Sequence, residues 1–260
     1  MPDFNSLLWT TRLAALAIVL QTIELLLLRR TYANNGIWRW SALAPEFSGF
    51  PRPLRKLFEF LFKEPNFYLL LLARMVAASF LFFISTPLLL LFLLFSTIAT
   101  SVRWRGTFNG GSDYMTIVIL SALTVAATFP SNPSVFLGCN LYVVAQLVLS
   151  YLISGLVKLR SQDWQNGSAL TAFTASAMFA PPTVLRPILE NERQAKILGW
   201  SIIAFECLFP LCFINVEFCL VFIAIGTLFH LGNSYVMGLN RFFFAWIATY
   251  PMLYWVAGLP

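Results

Sequence analysis

Apolar positions in this chain neither alternate nor recur on a single face. They form runs, each ended by charged, glycine- or proline-containing stretches. Eight runs read as membrane-crossing helices: residues 7–28, 66–84, 87–102, 113–129, 134–157, 197–214, 216–239 and 242–258. Each is near the length that ~30 Å of hydrocarbon demands at ~1.5 Å of rise per residue. Ser85, Thr86 and Pro87 make a tight turn between the second and third. Two connections are long. Residues 29–65 and 160–196 scatter tryptophan, phenylalanine and leucine among charges, so both read as interfacial amphipathic segments. The apolar stretch 169–180 is too short to span comfortably, though it is able to re-enter. The fold class predicted is all-α: a polytopic membrane helical bundle of about eight transmembrane helices, one transmembrane domain over residues 1–260.

Composition supports this class. Apolar residues make up 59% of the chain and charged residues 11%, against roughly 45–50% and 25% in soluble domains. So few charges cannot cover a water-facing surface. The net charge of +6 has a topological origin. Outside Arg12 and Arg74, every basic residue falls in alternate loops, all on one side of the predicted bundle. These are Arg29, Arg30, Arg39, Arg52, Arg55, Lys56, Lys63, Arg103, Arg105, Lys158, Arg160, Arg186, Arg193, Lys196 and Arg241. The positive-inside rule then makes this a multi-pass protein with both termini non-cytoplasmic. The bilayer is the partner this charge implies, not nucleic acid. A single histidine excludes a bis-histidine haem, a three-histidine zinc site and an HExxH helix. No nucleotide-binding glycine fingerprint and no CxxC pair is present. No haem or metal is predicted from this chain. Cys212 and Cys219 are able to close across a turn at Asn215 in an oxidising compartment, but buried free thiols are the favoured state.

Ionisable groups inside a bilayer are costly and are functional candidates by default. Here they are Arg12, Glu24, Arg74, Glu206, His230 and, at the edge, Lys158. Internal pairing is the favoured reading for four of them: Glu24–Arg74, on sequence-adjacent helices that usually touch, and Arg12–Glu206, both in the outer halves of their helices. Gln146, Ser150, Ser154 and Lys158 recur every fourth residue and share a helix face. Thr227, His230 and Ser234 form a second stripe, with Asn233 beside it. Two stripes predict a shared polar cavity lined by Lys158 and His230. The plainer alternative is interhelical hydrogen bonding, worth only ~0.6 kcal/mol on average. A partly desolvated lysine can become a base, although Lys158 could equally snorkel to the headgroups. Residues Asn109, Gly110 and Gly111 read first as a turn ahead of a helix capped by Ser112 or Asp113, and second as an anion or carbonyl site. The abundant aromatics fit lipid-facing and interfacial belts more simply than a quinone site.

Tyr151, Ser154, Gly155, Lys158 and Leu159, followed by Trp164 and Gly167, resemble the Y-x-x-[AS]-G-x-x-K-L…W-x-x-G segment of the horizontally transferred transmembrane (HTTM) family. That family includes the membrane core of vitamin K-dependent gamma-glutamyl carboxylase. The Asn109 turn and the Phe229-His230 pair resemble further family pieces, so the HTTM-like part covers about 103–250. The resemblance implies a quinol-dependent carboxylase-like or peptide-modifying enzyme using a quinone/hydroquinone cofactor. Lys158 matches the lysine that deprotonates the hydroquinone, and His230 matches a family histidine. These two are the candidate catalytic residues, with Asn109, Ser154 and Trp164 as candidate cofactor-binding residues. The carboxylase has a histidine shortly after its asparagine, where this chain has Gly110 and Gly111. A second reading therefore stands beside the first: a non-catalytic membrane subunit or maturation factor that packs with other membrane subunits.

Overall fold

The computed structural model describes residues 5–104, 110–175 and 182–259. Among these residues there is helix and no strand. The bundle is built from α1 (Ser6–Leu27), α2 (Asn66–Phe80), α3 (Pro87–Trp104), α4 (Gly110–Thr128), α5 (Pro133–Arg160), α6 (Glu192–Leu208), α7 (Val216–Met237), α8 (Asn240–Ile247) and α9 (Tyr250–Ala257). Four starts are capped by asparagine: Asn5 accepts from the Leu8 amide ahead of α1, and three more follow. Asn132 accepts from the Ser134 and Val135 amides, Asn191 from the Gln194 amide and Asn215 from the Phe218 amide. Gly238 closes α7 in the left-handed region at φ +68°.

Among the described residues, six helices are long and apolar enough to cross a membrane: α1, α3, α4, α5, α7, and α6 extended by the 3-10 turn Phe209–Phe213. The other two predicted spans differ. Helix α2 stops at Phe80 after 15 residues, ~22 Å of rise, because the chain must turn before Pro87 opens α3. The last predicted span is broken between α8 and α9, where Pro251 has no amide to donate and its ring conflicts with a continuous preceding turn. The break sits at the centre of the molecule. Helices α8 and α9 pack against α1, α4, α5 and α7, and Ala248, Thr249, Met252 and Leu253 are completely buried. Outward positions are apolar instead. Phe83 is 86% exposed and Leu88 80% exposed, as expected of a lipid-facing surface and not of a water-facing one.

The first long connection is folded. Short helices Arg29–Tyr32 and Trp40–Leu43, the 3-10 turn Ala44–Phe47 and the helix Arg52–Phe62 close over an aromatic cluster of Tyr32, Trp40, Phe47, Phe62, Phe67 and Trp104. In the second, the stretch 169–180 is described only to Ala175. Its described part forms the helix Ser168–Ala175, which packs Leu170 against Ala195 of α6.

Charge pairing departs from the sequence-based expectation. Arg74 is fully buried but does not take Glu24. Its Nη2 donates to Gln21 Oε1 at 2.6 Å and to Thr97 Oγ1 at 3.1 Å, and Gln21 in turn donates to Asp113. On α1 it is Gln21 that faces α2, whereas Glu24 is turned toward α8. There it accepts from Arg241 Nε at 2.7 Å and from Asn240. Arg12 does not reach Glu206, since α1 packs against α2, α4, α8 and α9 and not against α6. Its guanidinium lies 5.4 Å from the Trp9 ring centroid. The four cysteines are free.

Candidate functional site

Gly155 sets the site. A Cβ there would lie 2.8 Å from the Cys207 backbone nitrogen and Sγ, and 2.9 Å from Glu206 Cβ. Only glycine lets α5 and α6 touch this closely. The contact brings the Glu206 carboxylate, ~21 Å along α6 from its start, against the end of α5. Lys158 Nζ donates to Glu206 Oε1 at 2.8 Å and Oε2 at 2.7 Å, and to Ser154 Oγ at 2.5 Å. Ser154 donates to Glu206 Oε1 at 3.2 Å. Each ammonium proton therefore has an acceptor within the protein, and the ion pair is almost completely withdrawn from solvent.

Beyond α5 the chain makes the short helix Gln162–Asn166 and reverses at Gly167, φ +90°. A Cβ at Gly167 would lie 2.5 Å from the Lys196 nitrogen, and one at Gly199 would lie 2.7 Å from the Trp164 carbonyl oxygen. Trp200 Nε1 donates to the Gln165 carbonyl at 3.1 Å. These contacts press the short helix onto α6 and fix Trp164, whose ring centroid is 5.1 Å from Lys158 Nζ. The space left is a cavity of about 380 Å³ between the end of α5, α6, α7 and the helix Ser168–Ala175. Phe173, Ile202 and Phe229 give it apolar walls, while Lys158, Trp164 and Asn233 are the polar side chains among its described lining.

His230 lies elsewhere. Its Nε2 is 2.7 Å from Tyr151 Oη, which is 3.1 Å from Tyr250 Oη. Phe229 and Trp246 close over the imidazole with centroids at 5.1 and 5.2 Å, and among the described residues Nδ1 has no hydrogen-bond partner. Gly226 makes room, since a Cβ there would meet Tyr250 Oη at 2.5 Å. Among the described residues, Lys158 and His230 thus do not line one cavity. On α7 it is Phe229 and Asn233 that face the Lys158 cavity, with His230 turned toward Tyr151 and α9. On α5, Tyr151 precedes Lys158 by two turns, ~10 Å. The stripe hydroxyls of Ser150 and Thr227 donate to carbonyls of their own helices. Asn109 lies outside the described residues. The glycine after its turn has a packing role, as a Cβ on Gly111 would meet the Phe242 ring at 2.9 Å.

Sequence reasoning brought Lys158, Ser154 and Trp164 together through the motif, and the structure places them in contact. It placed Asn233 beside the second polar stripe, and Asn233 lines the cavity; it missed Glu206 as the partner of Lys158, and it missed Tyr250. The signal for Glu206 was Gly155, which marks the close helix approach that an ion pair needs.

The HTTM domain model matches residues 119–256, a stretch holding both clusters. No curated protein and no solved structure matches the chain.

Proposed function

The chain belongs to the HTTM family, and from that membership and the cavity beside Lys158 we propose a membrane enzyme, carboxylase-like or peptide-modifying, acting on a quinol or peptide group with Lys158 as base. The observation that carries this reading is the pairing of an apolar cavity with a single proton-donating ion pair in its wall. Its volume of about 380 Å³ falls within the ~300–1,000 Å³ of small-molecule sites. A flat aromatic ring suits the Trp164 face and the Phe173 and Phe229 walls, and a ring oxygen suits the Asn233 amide and Lys158 Nζ. The residues present therefore fit a hydroquinone. When bound, it supplies the acidic hydroxyl and the reducing electrons of the oxygen chemistry that the carboxylase resemblance implies.

The chain's own residues handle the proton. Lys158 must first give up one of its three protons, and Glu206, within 2.8 Å of Nζ, is the acceptor. Ser154 holds the resulting amine in place. The free lone pair, turned into the cavity, then takes a proton from a hydroxyl or an acidic carbon held there. Apolar walls keep water from competing for that base. The reading retains both termini on the non-cytoplasmic side.

A second reading, a non-catalytic membrane subunit or maturation factor, is favoured by one observation: all three Lys158 protons are already satisfied internally. A binding and turnover experiment in nanodiscs separates the two. Wild-type protein should bind menaquinone and oxidise menaquinol, with labelled carbon dioxide incorporated into a glutamate peptide if the chemistry is carboxylase-like. Gly232 lines the cavity, and a Cβ there meets nothing within 4 Å, so Gly232→Trp should fill the space and abolish binding without unfolding the protein. The neutral double variant Lys158→Met/Glu206→Gln should keep the fold and lose turnover. A wild-type protein that neither binds nor turns over quinol, yet co-purifies with fixed membrane subunits, would overturn the enzyme reading in favour of the second.

A further inference from the structure

The folded connection between α1 and α2 contains a cavity of about 550 Å³ between the 3-10 turn Ala44–Phe47 and the helix Arg52–Phe62. Its aromatic wall is packed from behind. Trp40 packs against Phe47 at 5.4 Å and against Phe62 at 5.1 Å, and Phe47 packs against Phe58 at 5.4 Å. Three cations point into it, Arg52, Arg55 and Lys56, beside the hydroxyl-bearing Ser41 and Ser48. Glu59, also at the rim, is already paired with Lys63. Among the described residues, no ion pair or hydrogen bond engages the side chains of Arg52, Arg55 or Lys56. A preformed pocket carrying three uncompensated cations is built for an anion with several acceptor oxygens.

The same helix says what else the ligand must be. Its charged residues occupy one face, and Phe58, Leu61 and Phe62 on the other pack toward the aromatic cluster. Part of the apolar face is left over: Leu57 is 42% exposed and Phe60 64% exposed. Arg52, Lys56 and Phe60 are spaced four residues apart and form one edge. Along that edge cation gives way to bare aromatic within a single turn, which is the polarity profile of an amphiphile at a bilayer interface.

We propose that this pocket binds the phosphate headgroup of an anionic phospholipid, with Arg52, Arg55 and Lys56 on the phosphate oxygens and the acyl chains against Phe60 and Leu57. The site is independent of the Lys158 cavity. It gives the basic connection a specific occupant in place of diffuse attraction to a charged surface.

The test uses the full chain, delipidated in neutral detergent, with binding followed by native mass spectrometry and thermal shift. Phosphatidylglycerol should bind at least tenfold more tightly than phosphatidylcholine, and inorganic phosphate at millimolar concentration should produce no shift. Arg52→Gln/Arg55→Gln/Lys56→Gln should lower the phosphatidylglycerol affinity at least tenfold. Arg29→Gln/Arg30→Gln, which removes exposed charge from the same connection, should change it less than twofold. Equal binding of the two lipids, an unchanged triple variant, an equal loss in the Arg29/Arg30 variant, or inorganic phosphate binding as tightly as the lipid would each overturn the proposal. Circular dichroism of each variant at the wild-type value establishes that a loss of binding is not a loss of fold.

Discussion

Removing Lys158 tests the site most directly, because the structure fixes both the sign and the order of the effects. Glu206 is 3% exposed and Lys158 16% exposed, with nitrogen and oxygen 2.7 Å apart. Lys158→Met leaves a buried carboxylate with only Ser154 to donate to it. Breaking a buried pair in this way costs about 3–5 kcal/mol. Glu206→Gln is milder, since Lys158 keeps Ser154 and its more exposed ammonium borders the cavity. The loss there is that of an undersatisfied buried polar group, about 1–3 kcal/mol. The double variant replaces the pair with neutral groups of similar size and should cost no more than about 1 kcal/mol. The coupling is then at least about 3 kcal/mol, at or above the top of the range for residues in direct contact. Reversible unfolding by SDS in mixed micelles, followed by circular dichroism, measures all four corners of the cycle. Additive losses would remove the ion pair as an organising element of the site, and a larger loss for Glu206→Gln than for Lys158→Met would refute the burial argument.

Other positions give independent checks. Gly155→Val should cost about 1–3 kcal/mol by overpacking and should also shrink the Lys158–Glu206 coupling, because Cys207 and Glu206 stand within 2.9 Å of any added Cβ; a neutral effect in the same unfolding assay would mean the helices are not in close contact. Gly167→Ala forces a side chain into φ +90° against α6 and should lose about 1–3 kcal/mol, measured as a lower midpoint of unfolding. Arg74→Met should be strongly non-additive with Gln21→Leu and additive within ~0.5 kcal/mol with Glu24→Gln, and the reverse pattern would restore Glu24 as the partner. Cysteines introduced at Arg52 and Arg193 should both react with an impermeant maleimide from the cytoplasmic side, while labelling from opposite sides would demand an additional crossing between them.

The long spans were legible because hydropathy reports length and apolarity directly, and α1, α3, α4, α5 and α7 fall close to the expected ranges. What hydropathy does not report is continuity. The run 242–258 is apolar throughout, so the interruption ahead of Pro251 and the burial of α8 and α9 at the bundle centre had no signature in mean composition. Charge pairing failed for a different reason. Adjacency of α1 and α2 was correctly anticipated, but adjacency fixes only which helices meet. Gln21 and Glu24 differ by three residues, and the rotation of α1 about its axis, decided by packing against α2 and α8 together, gives one to Arg74 and the other to Arg241. Glu206 was assigned by depth alone. Depth is shared by every helix in an antiparallel bundle, whereas the glycine at position 155 identified the one neighbour close enough to pair.

The motif spanning Tyr151 to Gly167 joins two polar clusters that face different surroundings, and this difference locates any chemistry. Tyr151 reaches up to His230 and Tyr250, a hydrogen-bonded set inside a shell of aromatic rings with no described cavity beside it. Its contribution is to hold α5, α7 and α9 in register. Lys158 reaches the other way, to a carboxylate and an indole at the wall of an apolar space. An ammonium–carboxylate pair is a costly way to join two helices in a low-dielectric interior, where apolar residues of similar volume are often as stable or more so. Gly155, Gly167 and Gly199 make the close contacts that keep this expensive pair and its indole in place. Packing alone would be served by leucine; on the proposed enzyme reading, the pair does what leucine cannot and exchanges a proton with a molecule in the cavity.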